Sequence, residues 1–209
     1  MVKLATRIML GEKLKNLKQK ASSSCFAVKS VVFPFLKLAG TDTKLGPEMR
    51  STGETMGIGK SFELAYYKAL LAAGVSLDSK PKQSALLSLN DQDKLHLSEL
   101  SKLLEDLDFS IYGTQGTAAK INGAKTVPKI GQEGPDVLDI IRSGKMDIVI
   151  NTPRKGGSSH TDGFKIRRAA IEKGIPCITN LSTAFELLKA LKELRKHELE
   201  IKTVEEWTS

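Results

Sequence analysis

DIVIN at residues 147–151 and DGFKIRRAAIEKGIPCITN at residues 162–180 decide the fold. Residues 147–150 are a short apolar run, the mark of a strand buried on both faces. Residues 164–173 have helical spacing and stop at Gly174, where a C-terminal cap requires a positive φ. Residues 176–179 form another short strand-like run, and 182–196 read as a helix opened by Ser182 as capping residue. Strand, helix, strand and helix joined by short loops predict a parallel sheet with helices on both faces.

The same alternation extends toward the N-terminus. Residues 136–142 predict a helix, 125–127 a short strand, 117–122 a short helix and 109–112 a strand. Residues 95–107 predict a helix with Leu97, Leu100, Leu103 and Leu104 on one face, and 85–89 a buried strand. Residues 81–209 thus read as a Rossmann-like α/β domain. The polar stretch LDSKPKQS (77–84), with Pro81, predicts a linker. Residues 1–80 are patterned differently. A helix over 4–20 precedes the apolar run SVVFPFLKL (30–38), which Pro34 demotes to an edge or turn-broken strand. A glycine-rich stretch without period (40–59) follows, and then a helix over 61–73 with Phe62, Ala65, Tyr66, Ala69 and Leu70 at helical spacing. This is a partial α+β unit that does not easily close a core alone.

The 209 residues carry 32 Lys+Arg against 24 Asp+Glu, and 40% are hydrophobic. That apolar share excludes a disordered chain. No stretch reaches the ~18 consecutive apolar residues of a membrane span, and the opening MVKLATRIMLGEKLK, interrupted by Arg7, is not a secretory signal. Cys25 and Cys177 are too few for a disulfide framework or a tetrahedral metal site, so a cytoplasmic setting is expected. Charge is unevenly spread: residues 1–80 hold a net +7 and residues 81–209 a net +1. A nucleic-acid surface is one reading, but no aromatic residues interleave with the lysines of 12–20 as stacking platforms would. The others are a surface that meets an acidic partner, and a first part whose balancing acidic residues lie elsewhere.

In an open parallel sheet, ligands bind beyond the carboxyl ends of the strands. Asn90 and Lys94 follow the first predicted strand, Gly113–Thr117 (GTQGT) the second and Lys129 the third. Asn151 and Thr152 follow the fourth, and Thr179 and Asn180 the fifth. Thr117 is expected to open a helix, whose free N–H groups favour an anion. Small hydroxyls, amides and two lysines around glycines suit a phosphate or a phosphorylated metabolite. Catalytic groups are sparse: His160 and Asp162 lie in the loop KGGSSHTDG, where Asp162 reads as a helix N-cap and His160 as solvated. His96 and His197 read as surface residues; Arg167 and Arg168 begin on a helix and could pair with carboxylates or phosphate, with one of the two expected to be exposed.

VFPFLKL (32–38) with LGPEMRSTGETMGIG (45–59) resembles the end of the second ATP-grasp half of carbamoyl-phosphate synthase large subunits. GTQGTA (113–118), KIGQEGPDVLD (129–139), VINTP (149–153) and 162–180 resemble that family's C-terminal allosteric domain, of the methylglyoxal-synthase-like fold. The resemblance implies an ATP-grasp remnant over 1–80 and an allosteric domain over 81–209. It implies a site for UMP or IMP at Lys94, Thr114, Thr117, Lys129, Asn151 and Thr152, the ring already reached from the strand ends. It further implies, as partners, the remainder of the large subunit and a glutaminase small subunit, with roles in pyrimidine and arginine biosynthesis. No nucleic acid or membrane partner is implied.

The departures from the family pattern also carry information. The acidic–Val–Asn–Pro–Arg motif that accompanies the family's ATP and magnesium or manganese ligands is absent, so no catalytic residue or cofactor is expected in this chain. Pro153 stands where some members have threonine, and the segment between Thr117 and Lys129 is a few residues short. Ser30 and Cys177 replace an acidic residue and a tyrosine found in members activated by ornithine. The alternative is a stand-alone methylglyoxal-synthase-like lyase acting on dihydroxyacetone phosphate. Asp162 matches one of that family's carboxylates and His160 falls one residue out of place, but the catalytic aspartate corresponds roughly to Gly134.

Overall fold

A computed structural model of the protein describes residues 2–17, 25–38, 40–77, 81–153 and 161–208. Its strands are β1 (Phe26–Val32), β2 (Gly53–Gly59), β3 (Ser84–Ser88), β4 (Ser110–Thr114), β5 (Lys125–Val127), β6 (Ile148–Asn151) and β7 (Cys177–Ile178). Its α-helices are α1 (Val2–Met9), α2 (Phe62–Ala72), α3 (Leu97–Asp106), α4 (Gln115–Ala118), α5 (Val137–Arg142), α6 (Asp162–Glu172), α7 (Leu181–Leu194) and α8 (Val204–Thr208). None of these helices is long and apolar enough to cross a membrane.

Strands β3 to β7 form one parallel sheet in the order β5-β4-β3-β6-β7. Successive side chains of a strand point to opposite faces, and the two faces carry separate cores. Ala85, Leu87, Ile111, Ile148 and Ile150 pack with Leu100 and Leu104 of α3 and Leu187, Leu188 and Leu191 of α7. Leu86, Val127 and Val149 pack with Ile141 of α5 and Ile166 and Ala170 of α6 on the other side. The expected parallel sheet covered on both faces is the fold observed.

The first part forms a two-stranded antiparallel sheet, β1 with β2, pairing Phe26 with Gly59 and Val32 with Gly53. Pro34 ends β1 as its missing N–H requires. Strand β2 was not foreseen: its glycines read as loop, yet they are where α2 lies closest. A Cβ on Gly57 would come within 2.1 Å of the Ala65 carbonyl oxygen. Helix α2 also packs on α7, and Tyr67, Leu70 and Leu77 share the core of the large sheet. The C-terminal segment returns to this corner, where Glu200 pairs with Lys60 and Trp207 lies against Lys68 and Lys202.

Several boundaries differ for local reasons. Helix α1 ends at Met9 because Gly11 takes φ +95; 14–16 form a single 3-10 turn, and 18–20 lie outside the described residues. Asn180 caps α7 by accepting from the Thr183 N–H, in place of Ser182. Thr161 caps α6 through the Phe164 N–H, in place of Asp162. Helix α4 starts at Gln115, so Thr117 is its third residue and does not open it.

Candidate anion-binding site

The strand order has one switch point. From β3 the backbone moves outward through β4 to β5, then returns to β6 on the other side of β3. The crevice beyond the carboxyl ends of such a pair is where open α/β sheets take ligands. A cavity of about 590 Å³ lies there, reached by Ser88, Leu89 and Asn90 at the end of β3 and by Asn151 and Thr152 at the end of β6. Lys94, Thr114 and Lys129 also face it, so five of the six predicted residues come together. A second cavity of about 430 Å³ adjoins it at Asn90 and Thr152 and reaches Thr179 and Asn180.

Thr117, the sixth, lies behind the wall. It is 1% exposed, and its hydroxyl accepts from the Leu89 N–H at 3.3 Å. It fixes the backbone at the end of β3. Helix α4 is a single turn of four residues, too short for the aligned peptide dipoles that give a long helix its macrodipole. Thr114 occupies the N-cap position without a side-chain capping bond, which leaves its hydroxyl uncommitted to the helix.

The floor is a hydrogen-bonded network. Thr152 Oγ1 accepts from the Asn90 N–H at 3.0 Å and from Asn90 Nδ2 at 3.2 Å. A hydroxyl with two accepted bonds still has its own proton to donate. Asn151 Nδ2 donates to the Ser88 carbonyl at 3.2 Å, and Asn151 Oδ1 accepts from Arg167 Nη1 at 2.7 Å. Both ends of that amide are therefore held, which fixes its orientation and leaves the second Nδ2 proton for a ligand.

Of the two arginines the sequence offered as partners for a carboxylate or phosphate, Arg167 holds a carboxylate. It is 3% exposed, and besides Asn151 it donates from Nε to Asp42 Oδ1 at 2.7 Å and from Nη2 to Asp42 Oδ2. Burial raises the Asp42 pKa, but the Arg167 guanidinium and the N–H groups of Lys44 and Thr43 outweigh it and hold the carboxyl below its ordinary value. Arg168 is not on the surface either. Its Nη1 donates to the carbonyls of Phe35 and Leu38, both at 3.0 Å. The two arginines expected to include an exposed one instead clamp Phe35, Leu38 and Asp42 onto α6. Burial pushes the neighbouring Cys177 thiol up to about 12, with Arg167 opposing and Asp42 adding to the rise; such a thiol is no nucleophile at neutral pH.

The cavity is basic. Lys44, Lys94, Lys129 and Arg167 face it, and Asp162 is the acidic side chain facing it among the described residues. Lys94 Nζ pairs with Asp91 at 2.6 Å. A Cβ on Gly116 would meet Lys94 Nζ at 3.4 Å, so glycine there leaves the ammonium room to reach the ligand space. Gly134 has φ +86 and open space around it, and His160 lies outside the described residues. The arrangement can neutralise and orient an anion.

Residues 96–179, which include β4 to β7, match the MGS-like domain family. Over nearly its whole length the protein is also similar to carbamoyl phosphate synthase large chains, as the GPEMRSTGE segment had led us to expect. It is 40% identical over 212 residues to the large chain of Methanothermobacter thermautotrophicus, covering 99% of this sequence and 20% of that one. For the large chain of Rubrobacter xylanophilus the identity is 45% over 197 residues, covering 92% and 18%. The C-terminal section of the carbamoyl phosphate synthase large chain of Methanocaldococcus jannaschii is 41% identical over 223 residues, covering 99% of this sequence and 36% of that section. The 209 residues therefore correspond to part of such a C-terminal section and span about a fifth of the full-length relatives.

Proposed function

We propose that this chain is the regulatory end of a carbamoyl phosphate synthase large chain, and that its switch-point cavity binds a nucleoside monophosphate, UMP or IMP. One observation carries the reading: Lys94, Thr114, Lys129, Asn151 and Thr152 converge on a single basic cavity. The phosphate would lie against Thr114 and the lysines, with Asn151 and Thr152 donating to ribose or base. In this reading residues 1–80 are the end of an ATP-grasp half and 81–209 the allosteric domain. The ATP- and metal-dependent chemistry belongs to the preceding portion of the large chain, which works with a glutaminase small subunit in the cytoplasm. Its product would feed pyrimidine and arginine synthesis.

Calorimetry with UMP and with IMP tests this. Hydrogen bonds to a charged group contribute roughly 1.5–3 kcal/mol each. Lys129→Ala should thus weaken binding about ten- to a hundredfold, since ~1.4 kcal/mol is tenfold. Background heats for both nucleotides, from protein shown to be folded by circular dichroism, would refute the reading. Methylglyoxal release from dihydroxyacetone phosphate well above the uncatalysed rate would favour the lyase instead.

A further inference from the structure

The cavity is closed on one side by a residue that the strand-end argument never reaches. Lys44 belongs to the segment between β1 and β2, not to the parallel sheet, yet it faces the same space as Lys94 and Lys129. Among the described residues neither Lys44 nor Lys129 has an acidic partner, whereas Lys94 has Asp91. Two unneutralised ammonium groups around one cavity repel each other and are relieved by an anion between them.

Lys44 is also held where it is. Its N–H donates to Asp42 Oδ1 at 3.1 Å, and Arg50 Nη1 donates to the Asp42 carbonyl at 3.1 Å. The Asp42 carboxylate is gripped by Arg167, which also donates to Asn151 on the cavity floor. The wall bearing Lys44 and the floor bearing Asn151 are thus tied through one buried guanidinium.

We infer that the anion site is composite: Lys44 is a ligand-contacting cation, and the ligand binds jointly to the parallel-sheet domain and to the segment preceding it. The inference rests on the proposed nucleotide site and adds a residue and a consequence to it. Because a ligand shared by two parts favours the docked arrangement, UMP should tighten residues 41–50 against α6. By linkage, loosening that segment should weaken UMP to the same extent.

The test uses the full-length protein with UMP as probe and inorganic phosphate as a control for the charge alone. Lys44→Ala should weaken UMP about tenfold, and Lys44→Arg should restore most of the affinity. Hydrogen exchange at residues 41–50 should slow on adding UMP to the wild type and respond far less in Lys44→Ala at equal nucleotide concentration. If wild type binds UMP and Lys44→Ala binds it equally well, or if UMP leaves exchange at 41–50 unchanged, the composite site is wrong while the proposed function stands. If wild type binds no nucleotide, both fall together.

Discussion

Arg167 donates to Asp42 on one side and to Asn151 on the other, so removing either acceptor leaves a buried guanidinium under-satisfied. Breaking a buried pair by neutralising one partner costs about 3 kcal/mol at the low end of measured cases. Asp42→Asn should therefore lower stability by about that amount at pH 7, seen as a lower urea midpoint. The pH dependence has a fixed sign. The folded carboxyl titrates below its ordinary value, so its contribution is fully present above an unfolded pKa of about 3.9. It is lost as pH falls through the lower folded value. The gap between wild type and Asp42→Asn should stay constant from pH 5 to 8 and narrow below about pH 4; equal midpoints at pH 7 would contradict the pair's role. The strand-end rule reached Lys94, Thr114, Lys129, Asn151 and Thr152 because each lies at the carboxyl end of its own strand or a few residues beyond it. It could not reach Arg167 or Lys44, because the partner that fixes Arg167 is 125 residues away in the sequence. Nothing local marks Lys44, in the irregular stretch between β1 and β2, as facing a distant cavity.

At the scale of elements, the sequence pattern located every strand of the parallel sheet to within a few residues, since β3 and β6 are short apolar runs and the others alternate with helical stretches. The antiparallel pair was only half legible. Strand β2 carries glycine at positions 53, 57 and 59, and glycine argues for loop when nothing else is known. The structure explains it as close packing: Gly57 and Gly59 face α2, and Thr55 Oγ1 donates to the Ala69 carbonyl at 2.9 Å. Gly57→Ala would place its Cβ 2.1 Å from the Ala65 oxygen and 2.5 Å from the Ala69 nitrogen, both backbone atoms of a helix that cannot move alone. Overpacking typically costs 1–3 kcal/mol and more when backbone must shift, so a loss of about 3 kcal/mol is expected. Gly53→Ala is the control, because its Cβ meets only the Val32 side chain at 3.8 Å. Near-equal urea midpoints for the two variants would mean that α2 does not lie against β2 as described.

Across the whole molecule, the two parts are joined by more than residues 77–84. Leu77, at the start of that stretch, is 2% exposed and accepts from the Tyr67 hydroxyl at 3.0 Å through its carbonyl. Leu70 and Leu77 lie in one core with Leu187, Leu188 and Leu191 of α7. A fragment of residues 81–209 keeps every strand of the parallel sheet but bares the face of α7 that α2 covers. Burying an aliphatic side chain contributes about 1.5–3 kcal/mol. Losing Leu70 and Leu77 should thus cost the fragment roughly 3–6 kcal/mol, an upper range because unfolded chains already bury some surface. The fragment also loses Asp42 and Lys44, which strips Arg167 of its carboxylate and the cavity of one cation. Its UMP affinity should therefore fall at least as far as that of Lys44→Ala, and its bared apolar face should promote self-association. Trp207, the single tryptophan of the sequence, gives an independent readout. In the full-length protein it is buried against Lys68, so its emission should be blue-shifted, and in the fragment, without Lys68, it should move to the red. A fragment that stays monomeric, melts with the full-length protein and binds UMP equally well would show that the first part merely precedes the sheet. Loss of stability with unchanged UMP affinity would show that the first part supports the fold without forming a wall of the site.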